Sequence, residues 1–332
     1  MSAFIPHPLI RNGHVQSVLA SSPLRKPVIR HRSGRLRACE QDIILDGGDG
    51  VRLHGLLSLH PRADAQSQRP MVMLIHGWEG SAESTYLLSA ASTLFENGFD
   101  IFRLHLRDHG PTHHLNAGIF HAARLDEVVH ALQAVENSYA SGDTYLVGFS
   151  LGGNFALRVA SRVVANGLRL KQVVAVSPAV HPLNTLAAME RGPGFYQHYF
   201  VQKWLRSLKR KHELFPQLLD VECVNRMRRL SELTDYLVAH HTEFTSAQDY
   251  LQSYEITSQV LQAIGCRTDI ITAQDDPVIP AGDFAALQLP PQVQLRILPH
   301  GGHCGFVKNL RLQSWVDEEL LRLFAGNSAH TQ

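Results

Sequence analysis

The sequence predicts an α/β fold in which a mostly parallel central sheet carries helices on both faces and a helical insertion at one end. Two observations set the class. Short apolar runs rich in β-branched residues alternate along the chain with segments of helical period. The runs stay apolar at consecutive positions, as strands do when helices cover both sides of them. A third observation sets the insertion. Between about His181 and Thr257 the alternation stops, the pattern is helical and no strand is legible.

Residues 1–37 carry Pro6, Pro8, Pro23 and Pro27 and are expected to wrap the surface. "DIILDGGDGVRLHGLLSLH" then reads as an antiparallel hairpin. "MVMLIHG" (Met71 to Gly77) is a buried strand, and the helix near Ser84 to Glu96 stops at Asn97 and Gly98. "FDIFRLHL" and "TYLVGFS" are strands, followed by the helices "ARLDEVVHALQAVENSYA" and "LGGNFALRVASRVVANG", the second ending at Gly167. "KQVVAVSP", "RTDIITAQ" and "VQLRILPH" complete the strands, and "NLRLQSWVDEELLRLFAG" is a closing amphipathic helix. The expected divisions are a wrapping segment at 1–37, a core at 38–180 and 258–326, and an insertion at 181–257. Ligands in such sheets bind beyond the carboxyl ends of the strands, so an insertion leaving one of those ends is expected to act as a lid.

Composition narrows the function classes. The 332 residues are 44% apolar and 18% charged, which is globular, and the formal net charge of +1 makes no electrostatic case for nucleic acid. No apolar run approaches the roughly 18 residues of a membrane-spanning helix. The opening "MSAFIPHPLIRNGHVQ" lacks a basic start followed by an apolar stretch, so no signal peptide is expected. Cys39, Cys223, Cys266 and Cys304 lie far apart with no C-x-x-C pair, which points to free thiols and a cytoplasmic address. Histidine is over-used, at 20. The group His109, His113, His114 and His121 offers neither an H-x-x-x-H pair on a helical face nor H-E-x-x-H, and no metal is expected.

The chemistry gathers at strand ends. In "VGFSLGGNF", Gly148, Ser150 and Gly152 satisfy G-x-S-x-G between a strand and a helix. A serine on so sharp a turn needs neighbours without side chains two before and two after it, and the turn lifts its Oγ to the top of the sheet. The Leu151 N–H then falls at a helix N-terminus, where negative charge is favoured. A serine nucleophile requires an acid and then a base later in the chain. "DIITAQDDPVIP" supplies Asp275 and Asp276 beyond one strand, and "LPHGGHCGF" supplies His300 and His303 beyond the last. Each is plain turn chemistry when taken alone; the order Ser, Asp, His at successive strand ends argues for a catalytic set. The second oxyanion donor is expected from the Trp78 N–H in "LIHGWEGS". Glu79 would oppose the developing charge there, so its side chain is expected to turn away and to fix the loop through hydrogen bonds. Cys304, beside the base, is assigned no role.

"NGHVQSVLA", "HGWEGS", "GFSLGGN", "AQDDPVIP" and "HGGHCGF" together resemble the YheT-like branch of the α/β-hydrolase superfamily, whose animal relatives are lipid-associated abhydrolase-domain esterases. The likeness runs from about Phe4 to Phe324. It implies the α/β-hydrolase fold and a serine hydrolase with Ser150 as nucleophile and His303 as base. It also implies Asp276, the second aspartate of D-D-P, as acid, with Asp275 as the fallback. The insertion matches the family's lid position. Where relatives read like "FRGCSG", this chain has "LRDHGPTHH". His109, His113 and His114 are therefore candidates for the rim of a substrate pocket, with solvent-facing loop histidines as the alternative.

The expected function is carboxylic-ester hydrolysis through an acyl-enzyme, on a small-molecule ester or an acylglycerol-like lipid, with no cofactor. Thioester hydrolysis and acyl transfer would use the same groups, and a non-catalytic binding protein on the same fold is the rival from another class. Lys203, Arg206, Lys209, Arg210 and Lys211 stand beside Trp204, Leu205 and Leu208 in the insertion. A basic amphipathic stretch such as 202–215 either docks peripherally on an anionic membrane or packs its apolar side on the core.

Overall fold

The strands are β1 (Glu40–Asp46), β2 (Arg52–Ser58), β3 (Met71–Ile75), β4 (Asp100–His105), β5 (Thr144–Phe149), β6 (Leu170–Val176), β7 (Arg267–Ala273) and β8 (Val293–Leu298). They form one sheet in the order β1-β2-β4-β3-β5-β6-β7-β8. The β1–β2 and β2–β4 pairs are antiparallel and the rest are parallel, so the opening hairpin extends an otherwise parallel sheet. The computed structural model describes residues 4–61 and 68–325. Residues 1–3 of the wrapping segment, 62–67 of the core and Gly326 at its expected end lie outside the described residues.

The helices are α1 (Gly13–Ala20), α2 (Lys26–Arg32), α3 (Gly34–Ala38), α4 (Thr85–Glu96), α5 (Leu125–Tyr139), α6 (Leu151–Ala160) and α7 (Val163–Asn166). Between β6 and β7 come α8 (Pro182–Arg191), α9 (Gly194–Leu214), α10 (Val221–Arg226), α11 (Leu230–His241), α12 (Ala247–Ser253) and α13 (Ser258–Gln262); α14 (Trp315–Ala325) closes the chain. No helix among the described residues is long and apolar enough to cross a membrane.

Why the central strands are apolar throughout is visible in β3. Successive side chains point to opposite faces. Met71, Met73 and Ile75 join a core layer with residues of α5, α6 and the insertion. Val72 and Leu74 join the other layer, with residues of α4 and α14. The N-terminal stretch, expected to wrap the surface, also supplies this second layer through Phe4, Ala20, Ile29 and Leu36.

One expected element is shorter than its pattern. The closing helix begins at Trp315, six residues after Asn309. Asn309 Oδ1 accepts from the Arg311 and Gln313 N–H groups, and Val307 pairs with Ser314 in an isolated bridge. An asparagine side chain that satisfies backbone donors locally competes with the helix for them.

Candidate active site

The turn from β5 into α6 holds Ser150 at φ 54° and ψ −119°, outside the region most residues adopt. Both flanking glycines are required. A Cβ on Gly148 would lie 2.1 Å from the Gly152 carbonyl oxygen, and one on Gly152 would lie 2.3 Å from that of Ile75. The strained serine is held by its own backbone: its N–H donates to Val176 O at 2.8 Å, and its carbonyl accepts from the Asn154 N–H at 3.0 Å. Asn154, fully buried, donates its amide to Ala179 O (2.9 Å) and Tyr254 O (2.7 Å), which ties α6 to the insertion.

Three residues expected to meet do so. His303 Nε2 lies 2.9 Å from Ser150 Oγ, and His303 Nδ1 lies 2.9 Å from Asp276 Oδ2. An ionised carboxylate only accepts, so the ring proton sits on Nδ1 and Nε2 is free to accept from the serine hydroxyl. The other Asp276 oxygen accepts from the Val278 and Ile279 N–H groups at 2.8 and 2.9 Å, which anchors the carboxylate from behind. Asp275, the fallback acid, faces elsewhere: Oδ1 accepts from the Gly302 N–H at 2.8 Å and Oδ2 meets His300 Nδ1 at 3.4 Å. The two successive carboxylates divide the work. One orients the imidazole and the other holds the loop that carries it.

That loop is clamped by a segment the sequence pattern did not connect to it. Ser17 Oγ, in α1, accepts from the His303 N–H at 2.8 Å and donates to Gly13 O at 2.7 Å. Gly302, at φ 54°, would carry a Cβ only 2.2 Å from Gly13 O, so the loop seats directly on the backbone of α1. Cys304 is buried behind the loop with its thiol pushed up by burial.

The Gly77–Glu79 loop faces Ser150. A Cβ on Gly77 would stand 3.1 Å from Ser150 Cβ. Neither the Trp78 nor the Leu151 N–H has an acceptor among the described residues. The loop is fixed from outside. Tyr86 OH accepts from the Gly77 N–H at 2.9 Å. His76 Nδ1 donates to Gly77 O at 2.7 Å, while its Nε2 accepts from the Leu106 N–H at 3.2 Å. His109 Nδ1 donates to Arg107 O at 2.7 Å, and its Nε2 accepts from the Glu79 N–H at 3.0 Å. The Trp78 ring stacks on Phe200 (5.4 Å) and meets Trp204 edge-on (5.0 Å), both from α9.

Several expectations about this region need correction. Glu79 is absent from the cavity lining although Trp78 and Gly80 are in it, so its side chain does turn away. The hydrogen bonds that fix the loop, however, come from its main chain, whose carbonyl also accepts from Lys203 Nζ at 2.8 Å. Burial pushes the Glu79 carboxyl up to about 7, with Lys203 opposing the rise, which weakens the charge that would oppose an oxyanion. None of His109, His113 and His114 lines the cavity. His109 and His113 are buried behind the loop, with His113 Nε2 at 2.8 Å from Ser207 Oγ, and His114 alone is exposed. Tyr86, His76 and Ser17 escaped the sequence reading because nothing in their local spacing marks them; the contacts that matter, to Gly77, Leu106 and His303, reach outside their own elements.

The buried histidines make a pH prediction. Burial lowers His109 to about 4 and His105, His113 and His121 to about 3, with His76 also well below its usual value. A second proton on His76 or His109 would set an N–H against the N–H that its Nε2 now accepts. Unfolded histidines titrate near 6.5. Below that pH the unfolded chain therefore takes up protons that the folded chain refuses, and stability falls toward pH 4 by up to about 1.4 kcal/mol per pH unit for each such histidine. Urea midpoints should drop steeply from pH 7 to pH 5, and equal midpoints would contradict the locked neutral rings.

A cavity of about 510 Å³ opens at Ser150 and His303. Its walls are chiefly apolar and come from the insertion (Leu186, Met189, Leu237, Leu251), the Trp78 loop and the N-terminal residues Ser17, Val18 and 20–23. Along 202–215, Trp204 and Leu208 turn inward, and Lys211 is buried in an ion pair with Asp108 at 2.7 Å. Most of the apolar side of that stretch is spent on the core, with only Leu214 at its end exposed, so the packing there favours the core over lipid.

The comparisons bear on the family and the fold. The family described as alpha/beta hydrolase fold matches residues 70–310. The chain is 28% identical over 328 residues to YheT of Escherichia coli (strain K12), provisionally called an esterase, covering 96% of this chain and 91% of that one. It is 22% identical over 315 residues to human phospholipase ABHD3, covering 92% and 74%. The carboxylesterase CesB of Bacillus subtilis superposes with a TM-score of 0.53 at 15% identity, covering 91% and 98%. With the matched region spanning well over half its length, this chain belongs to the alpha/beta hydrolase fold family.

Proposed function

We propose that the protein is a serine hydrolase of carboxylic esters bearing an apolar acyl chain, with Ser150, His303 and Asp276 as its triad. The observation that carries this reading is the pair of 2.9 Å hydrogen bonds joining Ser150 to His303 and His303 to Asp276. Ser150 Oγ attacks the ester carbonyl as His303 Nε2 takes its proton, and Asp276 stabilises the imidazolium through Nδ1. The free N–H groups of Trp78 and Leu151 receive the oxyanion, a contribution of about 2.7–4 kcal/mol for one such donor. His303 then protonates the leaving alcohol, and water attacks the acyl-enzyme with His303 again as base. The apolar cavity supports an acyl chain over a charged substrate. Helices α8 to α12 serve as the lid over that chain, and the relatives that act on lipids favour the same substrate class.

Covalent capture tests the reading. A fluorophosphonate probe should label the folded protein, and mass spectrometry should map the adduct to Ser150. No labelling, or an adduct on another residue, would overturn it.

A further inference from the structure

Fourteen large apolar side chains are exposed among the described residues, and six of them, Ile5, Leu9, Val15, Val18, Leu24 and Val28, fall in the N-terminal segment. Helix α1 is inverted relative to an ordinary surface helix. Its polar Gln16 is fully buried and exchanges hydrogen bonds with Val307, donating at 3.0 Å and accepting at 2.7 Å, while Val15 and Val18 face out. Phe195 and Tyr199, at the start of α9, are exposed as well. His14 joins the two groups, with its ring 6.3 Å from Phe195 and its Nδ1 3.1 Å from Tyr196 OH. Val18, Phe195 and Tyr199 also line the cavity, and so does Pro23, next to the 74% exposed Leu24. Part of the exposed apolar surface, Val18 with Phe195 and Tyr199, therefore borders the mouth, and the rest continues from it along the N-terminal segment. Its position separates it from the scattered exposed apolar residues that any surface carries.

The charge around it is one-sided. From Phe4 to Cys39 the chain has Arg11, Arg25, Lys26, Arg30, Arg32, Arg35 and Arg37 and no acidic residue, in a protein of net charge +1. Arg25 is buried, Arg35 pairs with Glu96 and Arg37 with Glu83. Arg11, Lys26, Arg30 and Arg32 are exposed and make no ion pair among the described residues. Exposed apolar side chains interleaved with unpaired cations match the two layers of an anionic bilayer surface, acyl boundary and headgroup. A second copy of the chain would bring like charges together.

We propose that residues 5–32, with Phe195 and Tyr199, form a docking face for an anionic lipid bilayer that sets the cavity mouth against the membrane. The stretch 202–215, for which the sequence left membrane docking and core packing open, turns Trp204 and Leu208 inward. The proposal does not depend on hydrolysis and is tested without it. The full chain carrying Ser150→Ala is sedimented with phosphatidylcholine vesicles and with vesicles containing phosphatidylglycerol. Binding to the anionic vesicles should be about tenfold tighter. Adding Val15→Asp and Leu24→Asp, or Lys26→Glu and Arg30→Glu, should weaken it by a similar factor. Arg206→Glu with Lys209→Glu should change it much less. Circular dichroism confirms that each variant folds, and in the Ser150 background the Val15→Asp/Leu24→Asp protein should retain turnover of a short soluble ester. Equal binding to both vesicle types, undiminished binding by the N-terminal variants, or loss only on changing Arg206 and Lys209 would refute the proposal. So would light scattering that shows a dimer dispersed by Val15→Asp/Leu24→Asp with no vesicle binding.

Discussion

Replacing Ser150 with alanine is expected to lower kcat on activated esters by about 10⁶-fold. The substitution removes the only atom that can form the acyl-enzyme and leaves His303 Nε2 with no hydroxyl to deprotonate. The cavity and the Trp78 and Leu151 N–H groups stay in place, so a residual acceleration of about 10³–10⁴ over water should persist. Kinetics on a p-nitrophenyl ester, beside a thermal melt matching the parent, measure both quantities. Activity within tenfold of the parent would mean that the nucleophile lies elsewhere.

Asp276→Asn should cost about 10⁴ in kcat while leaving the fold intact. The asparagine must keep an acceptor toward the Val278 and Ile279 N–H groups, which occupy Oδ1 at 2.8 and 2.9 Å. Its amide N–H₂ is then forced to face His303 Nδ1. Two donors cannot face each other, so the ring proton moves to Nε2, and the histidine can no longer accept from Ser150. Asp275→Asn is a control made of the same atoms. Its Oδ1 can still accept from the Gly302 N–H, so kcat should fall by less than about 10²-fold. Equal losses from the two substitutions would undo the division of labour between these carboxylates.

The contrast between these neighbours also shows where sequence reasoning stops. The strands were legible because burial on both faces makes every residue of β3 apolar, and the elbow was legible because only glycine passes at Gly148 and Gly152. Which of two consecutive aspartates meets the imidazole depends on which side of one turn each side chain leaves. Pattern does not carry that information; family resemblance did. His109 is a rim candidate because "LRDHGPTHH" stands where relatives carry a rim motif, yet its place is set by a carbonyl two residues back and an N–H thirty residues earlier. The basic stretch of α9 was correctly seen as amphipathic, but periodicity is silent on whether the apolar stripe meets protein or lipid. Ser17 was out of reach altogether, since a contact with His303 across 286 positions leaves no local signature.

That last contact bears on how the protein comes into being. The hydroxyl that holds the His303 backbone leaves the ribosome 286 residues ahead of its partner. Translation thus delivers Ser150 and its elbow long before His303 can be seated. A nascent chain that has passed β8 but not yet reached His303 would have its sheet in hand while α1 still lacks the loop it clamps, and a contact this distant in sequence is expected to form late in folding.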